Sequence, residues 1–509
     1  MGKVWLVGAG PGDESLITLK ALECLKAAEV VVYDYLANPA LLSHCPDSCE
    51  KIYAGKMASK HTMSQEDINA LLVEKAKDGK AVVRLKGGDP CVFGRGGEEA
   101  LACAEAGIPF EFVPGITAGI AAAVYAGIPV THRGLATSVA FITGHEMPGK
   151  EESDIQWDKI STGVDTLVFY MGVKNLPLIV QNLKKYGRSG STPAAVIRLG
   201  TLNSQATAEG TLDTIEDEVR RLGITPPSII VVGQVVSLRP RLTWFENRPL
   251  FGKTVLVTRS RTQASDLARG LKDLGAWVRE FPTIEIAPVP DLTKLDSALN
   301  EAESYSWIVF TSVNGVEIFF DRLYINKKDA RSLQGCSIAA IGSATAEKLR
   351  QYGITADLVP EKFTSEGTVE AFRKRKTDFT GERVLLPGSA IARDYIRENL
   401  SGMGAEVLAV PVYDTLLPAY TEEDIREILT MTPDLVTFSS SSTVSNFVDI
   451  LRSKGLEDRL PDIKAASIGP VTTKTAEDLG IQVILEAEEH TIPGLIDAIK
   501  NYFISGEKT

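Results

Sequence analysis

Three glycine-rich segments in the first half of this 509-residue sequence have residue types suited to holding a small charged ligand. GAGPGD at 8–13 follows a strand-like run and precedes a helix-like one, the setting of a dinucleotide-binding loop. That pattern fails twice: Asp13 stands where the third glycine belongs, and Pro11 removes a backbone N–H where a pyrophosphate needs one. A tight turn after the first strand is the alternative. LKGGDPCVFGRGGEE at 85–99 follows the strand-like AVVR; its successive glycines let backbone approach a ligand closely, and Asp89 offers charge to a cation or amine. VPGITAGIAAAVYAGIPVTHRG at 113–134 joins a Gly/Thr turn to a small-residue helix and the triplet Thr131-His132-Arg133. Taken singly, each segment is also compatible with a structural loop.

The second half has no GxSxG elbow, HExxH, P-loop or CxxC, and its one histidine is His490. Hydrolase and metalloenzyme chemistry are therefore poor readings, and no metal is expected from five scattered histidines. Hydroxyl and small-residue turns recur instead: Thr311-Ser312, Ser343 to Thr345, Ser439-Ser440 to Thr443, and Thr472-Thr473. Ser/Thr hydroxyls and free amides at helix N-termini, beyond the carboxyl ends of strands, suit carboxylates. Plain N-capping is the alternative for each of them.

The elements that must carry these residues divide the chain. Its length implies at least two hydrophobic cores. The strand-like SIIVVGQVV (228–236) gives way to SLRPRLTWFENRPLFGK (237–253), with two prolines, three arginines and no apolar periodicity, before the new strand TVLVTR. Domains are expected at 1–246 and 254–505, with a linker at 247–253. Strands alternate with amphipathic helices in both; SQEDINALLVEKAKDG (64–79) has a cap at Ser64 with Asp67 and a stop at Gly79. The second domain repeats itself. GKTVLVTRSR (252–261) aligns with GERVLLPGSA (381–390), and IGSATAEKLRQYGI (341–354) with IGPVTTKTAEDLGI (468–481), so one βα-rich unit is used twice and two lobes are expected.

Fifty-four basic against 66 acidic residues give a net charge of −12, which argues against nucleic-acid or membrane-surface binding. Six cysteines without CxxC pairing fit a reducing compartment, and no signal peptide precedes the first strand, so a cytoplasmic protein is expected. The longest uncharged apolar run, 115–130, falls short of the ~20 residues that span a bilayer and reads as a buried helix.

GAGPGD, VVVYDYL around Asp34, AGK with Lys56, GGDPCVFGRGGEE, PGITA, GIPVTHRG, TGH, YMG and the GT of 200–201 together resemble uroporphyrinogen-III C-methyltransferase, a tetrapyrrole methylase, over about 1–245. The resemblance implies a two-lobed α/β fold, S-adenosyl-L-methionine as methyl donor and a homodimer formed through this half. It places the cofactor at Pro11, Gly87, Gly88, Asp89, Val92, Thr117, Ala118, Met171 and Gly200, and an acid/base pair at Asp34 and Lys56. A turn aspartate and a solvated lysine are the plain alternatives for that pair. Arg84, Lys86, Arg95 and Arg133 lie beside these motifs, where a substrate with eight carboxylates would need cations in an acidic chain.

TSVNGV, IGSATAEKL, PEKFTSEG, VPVYDT, TFSSSSTVSNF and IGPVTTKTAEDLG resemble uroporphyrinogen-III synthase over about 252–500. Implied here are two α/β lobes, 254–281 plus 416–505 and 284–411, that close a linear tetrapyrrole by conformational control. Tyr413 matches a residue that assists departure of the hydroxyl, and Thr472 one that contacts substrate; Thr311, Ser312, Ser439 and Ser440 are binding candidates. The product of a synthase of this type is the substrate of the methylase. The rival reading is a methyltransferase for a later corrinoid precursor joined to a two-lobed solute-binding module.

Overall fold

The computed structural model describes residues 2–55, 63–144, 154–259, 261–389, 395–430 and 433–506. They form four five-stranded sheets in two compact units, Met1–Lys253 with Lys272–Trp277, and Thr254–Leu271 with Val278–Thr509.

In the first unit β1 (Lys3–Gly8), β2 (Val30–Tyr33), β3 (Glu50–Tyr53), β4 (Ala81–Lys86) and β5 (Phe110–Val113) pair in parallel in the order β3-β2-β4-β1-β5. Helices cover such a sheet on both faces, which is why its strands read as continuous apolar runs such as the fully buried Val30, Val31 and Val32. Between β3 and β4 lies helix Gln65–Lys77, where Ser64 and Asp67 form a reciprocal capping box. Gly79 then ends the helical segment in the left-handed region, at φ +84°.

The second sheet contains β6 (Val139–Thr143), β7 (Thr166–Tyr170), β8 (Pro193–Arg198), β9 (Ala206–Thr211) and β10 (Ser228–Val232) in the order β6-β7-β10-β8-β9. Only β6 and β7 are parallel; β10 runs against both its neighbours. The strand expected over 228–236 ends at Val232, and a 3-10 turn, Gln234–Leu238, follows. A short apolar run does not distinguish a strand from a buried helical turn, and Val235 and Val236 join the same core either way. Within 247–253 Leu250 is buried, with its N–H on the Leu274 carbonyl (2.8 Å).

The apolar run at 115–130 contains the eight-residue helix Ala118–Tyr125, whose Gly119, Ala121, Ala122 and Ala123 are buried. No helix among the described residues is long and apolar enough to cross a membrane.

In the second unit the strands are β11 (Thr254–Val257), β12 (Trp277–Glu280), β13 (Glu285–Pro288), β14 (Trp307–Phe310), β15 (Ser337–Ala340), β16 (Arg383–Ser389), β17 (Glu406–Leu416), β18 (Leu435–Phe438), β19 (Lys464–Ser467) and β20 (Gln482–Glu486). Their orders are β12-β11-β18-β19-β20 and β13-β17-β16-β14-β15. The repeat explains both. β11 and β12 of the first copy are completed by β18 and β19 of the second, while β14 and β15 of the first are completed by β16 and β17. The chain crosses over through β13 and the end of β17, which pair antiparallel from Glu285↔Leu416 to Pro288↔Tyr413. β17 thus continues to Leu416, past residue 411.

Candidate active site

The loops that follow β1, β4 and β5 meet at the carboxyl edge of the first sheet, and glycine is what lets them meet. Gly10 and Gly88 exchange backbone hydrogen bonds (3.2 and 2.7 Å). A Cβ on Gly115 would stand 2.2 Å from the Gly88 carbonyl oxygen and 2.8 Å from Gly8 Cα, and one on Gly8 would stand 2.6 Å from Gly115. Only bare backbone fits there. Asp89 locks the arrangement: one carboxylate oxygen accepts from the Cys91 N–H (2.8 Å), the other from the Gly115 N–H (3.0 Å). Its charge is directed at backbone amides within the loops, not at a cation.

The second lobe is tied to the same loops. The Asp13 N–H donates to Thr201 Oγ1 (3.0 Å), and the Tyr125 hydroxyl donates to the Asp13 carboxylate (3.2 Å); burial, followed by the Asp13 charge, pushes the phenol up to about 12. Asp13, which breaks the dinucleotide pattern, also caps a 3-10 turn through the Ser15 N–H (2.9 Å). At the start of the helix that packs on the second sheet, the Tyr170 hydroxyl bonds Thr117 Oγ1 (2.7 Å) and accepts from the Gly119 N–H (2.7 Å). Burial raises its pKa. The ring of Phe93 stands 4.9 Å from that of Tyr170.

Backbone strain collects at the same place. Six non-glycine residues have positive φ among those described, and five, Phe93, Arg95, Met171, Leu199 and Thr201, lie in the loops after β4, β7 and β8. Each such residue costs about 1–3 kcal/mol and persists where the surroundings enforce it, typically at ligand sites. Gly200, between two of them, faces Ala122, whose Cβ would lie 2.3 Å from an added one. Pro11, Gly87, Gly88, Asp89, Val92, Thr117, Ala118, Met171 and Gly200 all belong to these loops or to the residues they bond. Val92 and Ala118 pack on the core of the second lobe, and Met171 is 54% exposed.

Asp34 follows β2 at the same sheet edge. One carboxylate oxygen accepts from the Leu36 N–H (3.1 Å), which is the turn role; the other faces the Arg84 guanidinium (3.3 Å) and the side chain remains 26% exposed. The turn role of Asp34 is therefore real. Lys56 lies outside the described residues.

Arg84 corrects its expected role. Its side chain is 4% exposed, and it donates to Glu99, to the Val32 and Leu85 carbonyls and to Asp34, so it is not presented to a substrate carboxylate. Lys86 is equally buried, on Glu99 (2.7 Å). Arg95 is half exposed and pairs with Glu98 (2.6 Å), and Arg133 is exposed. Tyr170 and Glu99 were not singled out from sequence, although both stand inside quoted motifs, YMG and GRGGEE. Their partners come from β4 and the helix at 118–125, which no local pattern links to them.

In the second unit the hydroxyl turns follow the carboxyl ends of parallel strands. Ser312, after β14, caps helix Val313–Ile325 by accepting from the Gly315 N–H (3.0 Å), and Ser440, after β18, caps helix Ser441–Arg452 in a capping box with Thr443. The plain capping role is therefore real at both. Tyr413 is 8% exposed and its hydroxyl donates to Ser312 Oγ (3.0 Å), which joins two of the expected site residues. Thr311 and Ser439 flank them, partly buried. Thr472 departs from expectation: it is 5% exposed in the first turn of helix Pro470–Asp478, whereas Val471 is 75% exposed, so the helix turns the threonine inward.

Residues 3–216 match the family model of tetrapyrrole (corrin/porphyrin) methylases, and residues 265–497 that of uroporphyrinogen-III synthase HemD. A porphyrin biosynthesis protein HemD of Ruminiclostridium josui is 39% identical over 501 residues, which cover 98% of this chain and 97% of that protein. A uroporphyrinogen-III C-methyltransferase of Priestia megaterium is 56% identical over 237 residues, 47% of this chain and 99% of that one. A solved uroporphyrin-III C-methyltransferase from Thermus thermophilus, complexed with S-adenyl homocysteine, is 37% identical with a TM-score of 0.40, covering 47% of this chain and all of that one. Fold and matches define the class, a tetrapyrrole methylase fused to a synthase. The chain belongs to the family of porphyrin biosynthesis proteins HemD in which both units share one polypeptide. It is a bifunctional enzyme of tetrapyrrole biosynthesis.

Proposed function

We propose that the second unit cyclises hydroxymethylbilane to uroporphyrinogen III with inversion of ring D, and that the first uses two S-adenosylmethionines to methylate that product at C2 and C7, giving precorrin-2. The observation that carries the cofactor reading is the cradle of Gly8, Gly88 and Gly115, where a Cβ on Gly8 or Gly115 would occupy backbone space and Gly88 takes φ +69°, rimmed by strained Met171, Leu199 and Thr201. Pro11, Gly87, Gly88, Asp89, Val92, Thr117, Ala118, Met171 and Gly200 would hold S-adenosylmethionine, which supplies an electrophilic methyl group.

The chain's own part is placement, exclusion of water and removal of one proton. Once the new C–C bond has formed, the macrocycle loses a proton; that C–H bond's electron pair returns to the ring system, and the Asp34 carboxylate accepts the proton. Lys56 is the proposed partner in acid/base work. Exposed Arg133 and half-exposed Arg95 are the cations left for substrate carboxylates once Arg84 is assigned inward.

In the second unit Tyr413 would donate to the departing hydroxyl of hydroxymethylbilane, with Ser312 fixing the direction of its O–H. Thr311, Ser439 and Ser440, at strand ends, would bind the carboxylates. Six free thiols fit work in the cytoplasm, and β5, an edge strand with Phe110 and Phe112 partly exposed, offers a surface for a second copy.

Calorimetry tests the cofactor reading. S-adenosylhomocysteine is expected to bind and NAD not to, because Pro11 and Asp13 spoil the pyrophosphate loop. Asp89→Ala frees two backbone amides and is expected to weaken S-adenosylhomocysteine binding by about 10–100-fold, the equivalent of about one charge-assisted hydrogen bond. Binding of NAD alone, or unchanged affinity in the variant, overturns it.

A further inference from the structure

Behind Asp34 lies a group of buried charges. Glu99 is fully buried in the first turn of helix Gly96–Glu105. Its Oε1 accepts from Lys86 Nζ (2.7 Å), Arg84 Nε (3.1 Å) and Gln65 Nε2 (3.3 Å). Its Oε2 is buried with no hydrogen-bond partner among the described residues. Burial, followed by the Arg84 charge, lowers the pKa of Lys86. An isolated carboxylate here would cost several kcal/mol, and so would either cation alone. The three are tolerable only together.

The arrangement has direction. Arg84 uses Nε on Glu99 and its NH2 on Asp34, so one guanidinium joins the fully buried carboxylate to the one that opens to the site. Lys86, the other cation on Glu99, is the last residue of β4, and its carbonyl accepts from the Ala9 N–H (2.7 Å) just before the Gly87-Gly88-Asp89 loop. Rotating the Arg84 fork, or losing its buried counter-charge, therefore moves the donor that Asp34 faces. The planar fork fixes both ends at once, which a lysine in its place would not do.

We propose that Glu99 is a positioning residue for methyl transfer: it anchors Arg84 and Lys86 so that Arg84 holds Asp34 in the orientation from which it takes the macrocycle's proton. The inference rests on the assignment of Asp34 as the base. Glu99 touches neither cofactor nor substrate and acts only through Arg84.

The test is a double-mutant cycle on the full chain with uroporphyrinogen III and S-adenosylmethionine. Glu99→Gln keeps the shape and removes the charge. It is expected to lower kcat at least tenfold, with KM for uroporphyrinogen III and the Kd for S-adenosylhomocysteine within about threefold of the unmodified protein. Added to Asp34→Asn, it is expected to lower kcat by less than twofold more, because both losses pass through the same carboxylate. Losses that multiply, or loss of S-adenosylhomocysteine binding by Glu99→Gln, would make Glu99 a purely structural residue and overturn the proposal, as would an unchanged kcat in Glu99→Gln. Asp34→Asn with unmodified turnover would overturn the base assignment itself, an outcome distinct from all of these.

Discussion

Asp34→Asn is expected to reduce methylation of uroporphyrinogen III by about 10²–10⁴-fold, the usual range for loss of a general base, while S-adenosylhomocysteine still binds. The amide keeps an oxygen for the Leu36 N–H and so preserves the turn after β2. It cannot accept the macrocycle's proton, and it leaves the Arg84 guanidinium facing a neutral group. Single-turnover kinetics with labelled methyl donor, set beside calorimetry, separates the two effects. Parallel losses of binding and turnover would assign Asp34 to the loop architecture instead. Cyclisation by the second unit should not change, since its hydroxyl turns and Tyr413 belong to a different set of sheets.

Gly115→Ala is expected to act on binding. The new methyl would stand 2.2 Å from the Gly88 carbonyl oxygen and 2.8 Å from Gly8 Cα, and both obstacles are backbone. Relief requires moving the loop after β4 or the loop after β1, which share the Gly10–Gly88 bonds, while the Asp89–Gly115 bond ties the loop after β4 to the loop after β5. Overpacking of this kind costs about 1–3 kcal/mol, and at 1.4 kcal/mol per tenfold the affinity for S-adenosylhomocysteine should fall roughly 10- to 100-fold. Gly163→Ala, at a position with nothing within 4 Å of an added Cβ, is the control and should bind normally. Equal affinities for the two variants would show that the three loops do not form the cofactor site.

Much of the fold was legible because it rests on local rules. The capping box at Ser64 and Asp67 and the stop at Gly79 set helix Gln65–Lys77 within a residue, and apolar runs such as the AVVR of β4 marked the doubly covered strands. The repeat, read as an offset in sequence, reappears as two sheets that exchange strands between copies. Where apolar residues continued past Gly233, strand and buried 3-10 turn could not be separated, because both bury Val235 and Val236.

The site was less legible, for a physical reason. Motifs locate backbone, and the glycine loops stand where their strands place them. What a side chain does depends on partners far away in sequence. Arg84 looked like a cation for substrate until Glu99 and Asp34 were seen to occupy its donors, and Thr472 looked like a contact until the helix carried it inward. Asp89 suggested a ligand for a cation, yet both oxygens hold backbone amides. Tyr170 gained its importance from Thr117 and Gly119, some fifty residues upstream.

The central claim, that one chain carries both consecutive steps, is tested most directly by supplying hydroxymethylbilane to the full-length protein with and without S-adenosylmethionine. Without the methyl donor the account predicts uroporphyrinogen III, and with it precorrin-2, with two S-adenosylhomocysteines released per hydroxymethylbilane consumed. Uroporphyrinogen I as the sole product without the donor, or no methylated product with it, would contradict the account.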